Sequence, residues 1–321
     1  MNLQSFALNF RYAFRPHKPI LTLRLAWAVF KSLVLKRPPL RYVDLSIGFA
    51  CNLHCEHCFA TALEDRGRRV MEIEDYKRVA EECMKLGTVN FSFQGGEPLL
   101  YPNLGDIIRV FKPYKNLISV TTNGTLLDEH RLRWLKDMGV DILTVSLDSG
   151  IATEHDSFRG MDGAFEKTLQ GIRLAIKKGF RVTIGTVITH QSLYSEGFNN
   201  LIELVKSLRL ITYLILPVRA GRWAEQDDIF LTQQDMNYVT SLTKTSPYIR
   251  TDFQANLGGY GCGAVKEILY ITPYGDVLAC PFLHTPLGNI FNEPISAIRQ
   301  RALSDPLYST YYQRCIAAEG A

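Results

Sequence analysis

After residue 40 the sequence repeats one pattern, an apolar run followed by an amphipathic stretch, and this repeat limits the fold more than any other feature. The apolar runs predict strands, and the stretches between them predict helices. Parallel strands that alternate with helices form a sheet covered by those helices. Six such units with right-handed crossovers predict an α/β fold, a partial (β/α)6 barrel of the TIM type. The predicted strands are 41–50, 89–94, 117–122, 141–147, 181–189 and 211–218, and the predicted helices lie near 72–86, 104–112, 128–138, 163–178 and 198–208.

The composition excludes several classes of protein. With 321 residues, 46% of them apolar, the chain is long enough to bury a full core. Its seven cysteines are an odd number without a signal peptide, which indicates reduced thiols in the cytoplasm. No apolar run approaches the length of a membrane span. Residues 1–43 hold eight of the 36 basic residues and none of the 32 acidic ones, so the rest of the chain is net negative and no nucleic-acid partner is expected.

The basic segment 1–40 reads as one amphipathic helix, Pro19 to Lys36. Its apolar positions include Leu21, Trp27 and Leu33, with Arg24 and Lys31 between them. Such acid-free segments occur as transit peptides or as helices that contact a membrane surface. A helix docked on the main domain, with its lysines in solvent, explains the same pattern. Both interpretations stay open, so the expected location is cytoplasmic with possible membrane contact through residues 1–40.

Unusual residues follow the predicted strands, at the edge where parallel barrels carry their active sites. Five groups fall there: Cys51, Cys55 and Cys58; Gly95-Gly96-Glu97-Pro98; Thr121 to Gly124, including Asn123; Ser146 and Asp148; and Arg219 and Arg222. This convergence predicts one site built from several loops.

The spacing C-x3-C-x2-C puts Cys51, Cys55 and Cys58 on one short loop. Three thiolates can hold three irons of a four-iron, four-sulfur (4Fe-4S) cluster and leave the fourth iron open for chemistry. A zinc knuckle completed by His54 or His57, or a set of buried thiols, remains an alternative on the spacing alone.

Together with Gly95-Gly96-Glu97-Pro98, this triplet resembles the radical S-adenosylmethionine (SAM) superfamily over residues 41–220, within the predicted partial-barrel domain 41–225. The resemblance implies a 4Fe-4S cluster whose open iron binds SAM. It also implies reductive cleavage of SAM to a 5′-deoxyadenosyl radical that abstracts a substrate hydrogen. A flavodoxin- or ferredoxin-type electron donor would be the partner.

Individual residues take expected roles within that resemblance. The carbonyls of Gly95 and Gly96, with Glu97 and the Pro98 turn, would accept the SAM ammonium, since glycine lets a ligand approach the backbone closely. Asn123 and Ser146 are candidates for the ribose or carboxylate, or else turn and cap residues. Arg159 would hold the SAM carboxylate or form a surface ion pair. His57 is expected to pack toward the adenine.

A second cysteine set, Cys262, Cys280 and Cys315, lies in the predicted domain 250–321. Glu267–Thr272 and Val277–Ala279 predict a hairpin that brings these cysteines together. The pattern is similar to the twitch domain, a shortened relative of SPASM domains, and implies a second, auxiliary 4Fe-4S cluster. With three cysteines, its fourth iron would be open or bound by another residue; zinc or inert thiols remain alternatives.

The remaining residues say less about the substrate. Cys83 lies on the apolar stripe of a predicted helix and is expected in the core. Arg219 and Arg222 are expected either to grip a carboxylate or phosphate or to pair with the acids at 225, 227 and 228.

The favoured function is hydrogen abstraction from a small-molecule or lipid-like substrate, with the auxiliary cluster used for electron transfer or substrate binding. Modification of a ribosomally made peptide and a non-catalytic metal-binding scaffold are the alternatives.

Overall fold

The computed structural model describes residues 8, 11–12, 14–253 and 261–319, so parts of the predicted segments 1–40 and 250–321 lie outside it. The described strands form one open sheet in the order β10-β9-β8-β1-β2-β3-β4-β5-β6-β7. The strands are β1 (Tyr42–Ser46), β2 (Asn90–Gln94), β3 (Leu117–Thr122), β4 (Ile142–Ser146), β5 (Arg181–Val187), β6 (Ile211–Ile215), β7 (Ile249–Thr251), β8 (Ile268–Ile271), β9 (Asp276–Leu278) and β10 (Gly288–Asn289).

Neighbouring strands from β1 to β7 pair in parallel, and helices connect most of them. This confirms the predicted partial barrel. The helices are α1 (Pro19–Leu33), α2 (Ile73–Leu86), α3 (Leu104–Val110), α4 (Glu129–Asp137), α5 (Ala152–Arg159), α6 (Ala164–Lys177), α7 (Glu196–Ser207), α8 (Gln233–Thr245), α9 (Ile295–Ala302) and α10 (Pro306–Ser309).

The C-terminal hairpin extends the barrel sheet. Strands β8 and β9 are antiparallel, as predicted, and β8 also pairs in parallel with β1. A predicted separate domain is therefore continuous with the barrel sheet along β1. The sequence patterns also missed β7 and the helices α5 and α8.

Alternation along the strands separates an apolar outer face from a polar lumen. On β1, Val43 and Leu45 are buried in the main apolar core against the helices. Asp44, which lies between them, accepts a hydrogen bond from the Tyr42 hydroxyl at 3.0 Å. On the lumen face of the neighbouring strands β4 and β5, the hydroxyls of Thr144 and Thr183 lie 2.9 Å apart. The inside of the barrel therefore carries hydrogen-bonding groups and is not an apolar channel.

Helix α1 docks under the barrel, at the amino ends of the strands. Leu21 is fully buried against Val89 and Leu117, which lie at the starts of β2 and β3. Lys18 pairs with the buried carboxylate of Asp141 at 2.6 Å. The helix is thus a packed part of the fold, and it lies at the end opposite the predicted site.

Candidate active site

The first cysteine loop follows β1 and is held by the end of α5. The amide of His54 donates to the Arg159 carbonyl at 3.2 Å, and the amide of Glu56 donates to the Phe158 carbonyl at 3.0 Å. Cys51 is exposed, whereas Cys55 is buried and Cys58 is half-buried. The loop that carries the three thiols is therefore held to α5 by backbone hydrogen bonds.

The Gly-Gly-Glu-Pro segment is bonded directly to this loop. The amide of Gly96 donates to Gly48 and the amide of Glu97 donates to Ala50, both at 2.9 Å. A Cβ added to Gly96 would lie 2.2 Å from the Ala50 carbonyl oxygen, so only glycine fits there. The second strand's loop thus fixes the backbone immediately before Cys51.

The Glu97 side chain connects two loops of the site. It is fully buried, and its carboxylate accepts hydrogen bonds from the Leu99 amide, the Thr122 hydroxyl and the Asn123 amide. Glu97 therefore ties the loops after β2 and β3 together. Contact of this carboxylate with the SAM ammonium stays a prediction.

Asn123 is a turn residue that also reaches the cysteine loop. Its side-chain oxygen accepts from the Thr125 amide at 2.9 Å, as in an Asx turn. Its side-chain nitrogen donates to the Asn52 oxygen at 2.9 Å and approaches the Cys51 sulfur at 4.0 Å. Ser146 ends β4 and is half-buried on the lumen side. Contact of either residue with SAM stays a prediction.

Arg159 forms a buried ion pair and also contacts the first cysteine loop. Its guanidinium donates to the Asp148 carboxylate at 2.6 Å and to the Cys55 sulfur at 3.7 Å. Burial raises the pKa of the Cys55 thiol, and the nearby Arg159 charge opposes that shift. The ion-pair alternative therefore describes this side chain, although the pair is buried and not on the surface.

His57 stacks on protein side chains beside the loop. Its ring lies 4.6 Å from Phe158 in a stacked arrangement and 5.6 Å from Trp223. Burial lowers the pKa of His57 to about 3, so the imidazole is neutral. Its Nδ1 atom is buried without a hydrogen-bond partner. Packing toward the adenine stays a prediction.

The two arginines after β6 both have partners within the protein, and contact of either with a substrate stays a prediction. The Arg222 side chain donates to the His54 carbonyl at 3.0 Å and to the Cys55 carbonyl at 3.3 Å. Arg219 pairs with Asp227 at 2.5 Å. Arg222 thus caps the cysteine loop, and Arg219 follows the alternative of pairing with a nearby acid.

The second cysteine set converges at the C-terminal end of the described chain. The amide of Cys262 donates to the Tyr312 carbonyl, which ties down the tail that carries Cys315. Burial raises the pKa of Cys280 to about 12, with a smaller contribution from the neighbouring Cys262. Burial also raises the pKa of Cys315, and Cys280 and Cys262 add to it. The three thiols, each half-buried, are therefore close enough to influence one another.

Phe59 joins the two cysteine sets. It directly follows Cys58, and its ring meets Phe282 edge-on at 5.2 Å, two residues after Cys280. Cys280 and Cys315 pack in the same apolar cluster as Phe59. The two cysteine loops are therefore neighbours across an apolar contact.

The donor sets suit iron–sulfur clusters. Each offers three thiols, and the first receives N–H groups of the Leu53 backbone, Asn123 and Arg159 at its sulfurs. Hydrogen bonds of this kind tune clusters. Within the described ranges, no three His, Cys, Asp or Glu side chains lie close enough together to hold a single metal ion.

The comparisons with known proteins decide among the alternatives. The model of the radical SAM superfamily matches residues 45–204, and the SPASM model, an iron–sulfur cluster-binding domain, matches residues 262–315. The chain belongs to the radical SAM superfamily. Its second part is a SPASM-type domain, as the twitch-like cysteine pattern predicted. This radical SAM protein therefore uses a 4Fe-4S cluster and SAM, and its SPASM domain indicates a further cluster.

Several enzymes are similar over most of the chain. An AdoMet-dependent heme synthase of Methanosarcina barkeri is 28% identical, covering 82% of each chain. The subtilosin biosynthesis protein AlbA of Bacillus subtilis is also 28% identical, over 82% of this chain and 60% of that one. The fold matches Streptococcus suis SuiB bound to its precursor peptide SuiA, with a TM-score of 0.66 at 19% identity, covering 92% of this chain and 72% of SuiB. The radical SAM protein is therefore an enzyme, and the scaffold alternative is excluded.

Sequence reasoning missed several groups that hold the site of this radical SAM enzyme. The Tyr101 hydroxyl accepts a hydrogen bond from the Ala50 amide at 2.8 Å. The Tyr101 ring fits there because Gly48 has no Cβ. Phe158 and Trp223 flank His57. Their signal is weak, because isolated aromatic residues have no spacing that marks them.

Proposed function

We propose that the protein abstracts a hydrogen atom from a polar small molecule in the barrel lumen and passes the remaining electron to the auxiliary cluster. When bound, the first cluster supplies the electron that cleaves SAM to methionine and a 5′-deoxyadenosyl radical, which takes the substrate hydrogen. The observation that carries this proposal is the contact of both cysteine sets through Phe59. An acceptor beside the site supports a net oxidation.

In this proposal the chain's own residues hold and orient the reactants. Cys51, Cys55 and Cys58 would ligate the first cluster, and Cys262, Cys280 and Cys315 the second. Backbone carbonyls of Gly95 and Gly96, with Pro98 ending the loop, would receive the SAM ammonium, while Ser146 faces the lumen where the ribose would lie. Glu97, Arg159 and Asn123 would act by positioning the loops and the thiolates.

The lumen supports a polar substrate over a lipid-like one. The Asp44 side chain faces the lumen, while its apolar neighbours Val43 and Leu45 face outward into the core. Burial raises the pKa of Asp44 to about 7. A carboxyl group with this pKa changes charge near neutral pH and can donate or accept a hydrogen bond. The Tyr42 and Ser92 hydroxyls meet only part of this carboxyl's hydrogen-bonding capacity, and a polar substrate could meet the rest whereas a hydrocarbon chain could not.

A peptide substrate is the second candidate. A groove of about 710 Å³ lies beside the cysteine loop, and Glu56, Phe158, Arg222 and Asp228 are among the residues that line it. Its size and open shape suit an extended segment of chain. The names of the subtilosin protein and the SuiA complex support peptide chemistry among relatives.

The test uses anaerobically reconstituted full-length enzyme with SAM and dithionite. We expect about eight irons per chain, four for each cluster, and release of 5′-deoxyadenosine. The Cys51→Ala/Cys55→Ala/Cys58→Ala variant should release none, whereas Cys83→Ala, which removes a buried core thiol, should match the wild type. SAM cleavage by the triple variant would overturn the proposal.

The substrate class is tested with deuterium. The enzyme is offered deuterated cell extract separated by size into small molecules and peptides, and mass spectrometry follows deuterium into 5′-deoxyadenosine. Transfer from the small-molecule fraction supports the first candidate; transfer only from the peptide fraction supports the second and overturns the first.

The electron donor and location are also proposals. A flavodoxin- or ferredoxin-type protein would replace dithionite in the cytoplasm, and the same assay with the purified donors checks this. No helix in the part of the chain that the structure describes is long and apolar enough to cross a bilayer. Contact of residues 1–40 with a membrane surface would be peripheral.

A further inference from the structure

Helix α1 is apolar on two opposite faces. One face, with Leu21, Ala28 and Ser32, is buried against the barrel. The other is exposed and forms a stripe at helical spacing: Ile20, Leu23, Trp27, Phe30 and Val34. Leu23 is 72% exposed and Trp27 is 54% exposed. Docking on the barrel therefore explains one apolar face and leaves the second to be explained.

A cavity lined mainly by cations lies beside this stripe. It measures about 370 Å³, and Arg24, Lys85, Lys112 and Lys115 line it together with Glu81 and Met84. The one carboxylate lies 4.0 Å from Lys112, so positive charge is in excess. Burial lowers the pKa of Lys115, and the Lys112 and Arg24 charges lower it further. An anion in the cavity would relieve this repulsion.

Arg24 connects the two features because it lines the cavity and lies three residues before Trp27, which makes them neighbours on the helix surface. Its guanidinium is fixed by the carbonyls of Thr88 at 2.7 Å and Lys115 at 3.3 Å, at the rim of the cavity. The Lys31 ammonium, one helical turn after Trp27, lies 5.5 Å from the centre of the Trp27 ring. Tyr114 is exposed beside Lys115. Aromatic rings and basic side chains around an apolar stripe are typical of the membrane–water interface.

We propose that α1 and the adjoining cavity form a docking surface for a bilayer of anionic phospholipids. The stripe enters the boundary between headgroups and acyl chains, and the cavity takes a lipid phosphate. A lipid surface fits better than a protein partner, because an anionic bilayer is uniformly negative. Residues 1–43 hold no acidic side chain, so no negative charge in this segment is repelled by such a surface. The surface underlies the amino ends of the strands, so a docked enzyme opens its cleft toward the aqueous phase.

The first test measures co-sedimentation of the full chain with vesicles. Phosphatidylcholine vesicles containing phosphatidylglycerol should bind the protein, and pure phosphatidylcholine vesicles should bind it weakly. Lys112→Gln/Lys115→Gln should weaken binding about fivefold for each lysine, since a basic residue near such a surface contributes about 1 kcal/mol. Lys167→Gln/Lys177→Gln on α6 removes the same charge elsewhere and should retain most of the binding.

The second test separates insertion from simple charge attraction. Trp27→Ser/Phe30→Ser should lose vesicle binding while keeping SAM cleavage without vesicles, which makes failure of docking distinguishable from failure of the enzyme. Tryptophan fluorescence should shift to shorter wavelength on vesicles, and Trp27→Phe should abolish the shift. Unchanged binding by the Trp27/Phe30 variant, or a dimer through this face that vesicles do not dissociate, would overturn the proposal.

Discussion

Single residues around the first cysteine loop act mainly by fixing its position. Arg159 is the clearest example, because one guanidinium satisfies the buried Asp148 carboxylate and contacts the Cys55 sulfur. Asp148 also accepts the Val187 amide at 3.0 Å, so the ion pair joins the ends of β4 and β5. A buried pair of this kind contributes to specificity more than to net stability, but breaking it leaves a desolvated charge.

Removal of the Arg159 charge should therefore be costly. We expect Arg159→Met to lower the free energy of unfolding by about 3–5 kcal/mol, because the Asp148 carboxylate stays buried without its partner. Arg109→Met breaks the exposed pair with Asp106 and should cost less than about 1 kcal/mol. Anaerobic chemical denaturation of both variants measures the difference, and equal losses would contradict the importance of burial.

Asp44 should make stability depend on pH. Burial raises its pKa in the folded protein from 3.8 to about 7, so the folded state holds a proton that the unfolded state releases. The wild type should therefore lose stability relative to Asp44→Asn as the pH rises from about 4 to about 7, by at most about 1.4 kcal/mol per pH unit. Denaturation curves across this range measure it, with exposed Asp106→Asn as the control. A difference that stays constant with pH would refute the assignment.

Among the secondary-structure elements, the turn after β6 is a support for the cysteine loop. Gly221 has φ +58, and an added Cβ would lie 2.1 Å from the Cys58 carbonyl oxygen. Gly163 has a similar φ of +74 but nothing within 4 Å of an added Cβ. Substitutions at these two glycines therefore distinguish the effect of backbone strain, which both share, from a clash with the cysteine loop, which only Gly221 would cause.

We expect Gly221→Ala to displace the loop and lower the iron content and 5′-deoxyadenosine formation. Gly163→Ala should carry only the left-handed penalty, about 1–2 kcal/mol, and keep both. Iron analysis and the cleavage assay on the two reconstituted variants give the answer. If both variants hold the same iron, the turn does not support the loop.

The elements also show what the sequence could predict. Helix α6 has a regular apolar face and matches its predicted range closely. Helix α5 was missed because Thr, Ser, Asp and Phe have modest helix propensity, and its packing around the cysteine loop is tertiary. Strand β7 has only three residues, too few for a pattern. The pairing of Arg219 with Asp227 was one of the predicted alternatives. The partners of Arg222, the His54 and Cys55 carbonyls, lie about 170 residues away in the sequence, where no local spacing reveals them.

For the whole molecule, the continuous sheet explains how two metal-binding parts act as one. The pairing of β8 with β1 joins the SPASM-type hairpin to the strand that precedes Cys51. Phe59 and Phe282 then close the contact between the two cysteine sets. This long-range pairing could not be read from local patterns, since its partners are more than 200 residues apart.

The division of labour between the two cysteine sets is the prediction that concerns the molecule as a whole. In Cys262→Ala/Cys280→Ala/Cys315→Ala we expect about four irons instead of about eight, because one set of ligands remains. That variant should still cleave SAM with dithionite, since its first loop is held by α5, Arg222 and the Gly-Gly-Glu-Pro segment. It should form no oxidised product, because the electron left on the substrate lacks its acceptor. Parallel assays of 5′-deoxyadenosine and product decide the point, with circular dichroism to confirm folding. A folded variant that cannot cleave SAM would show that the second set also serves the first step.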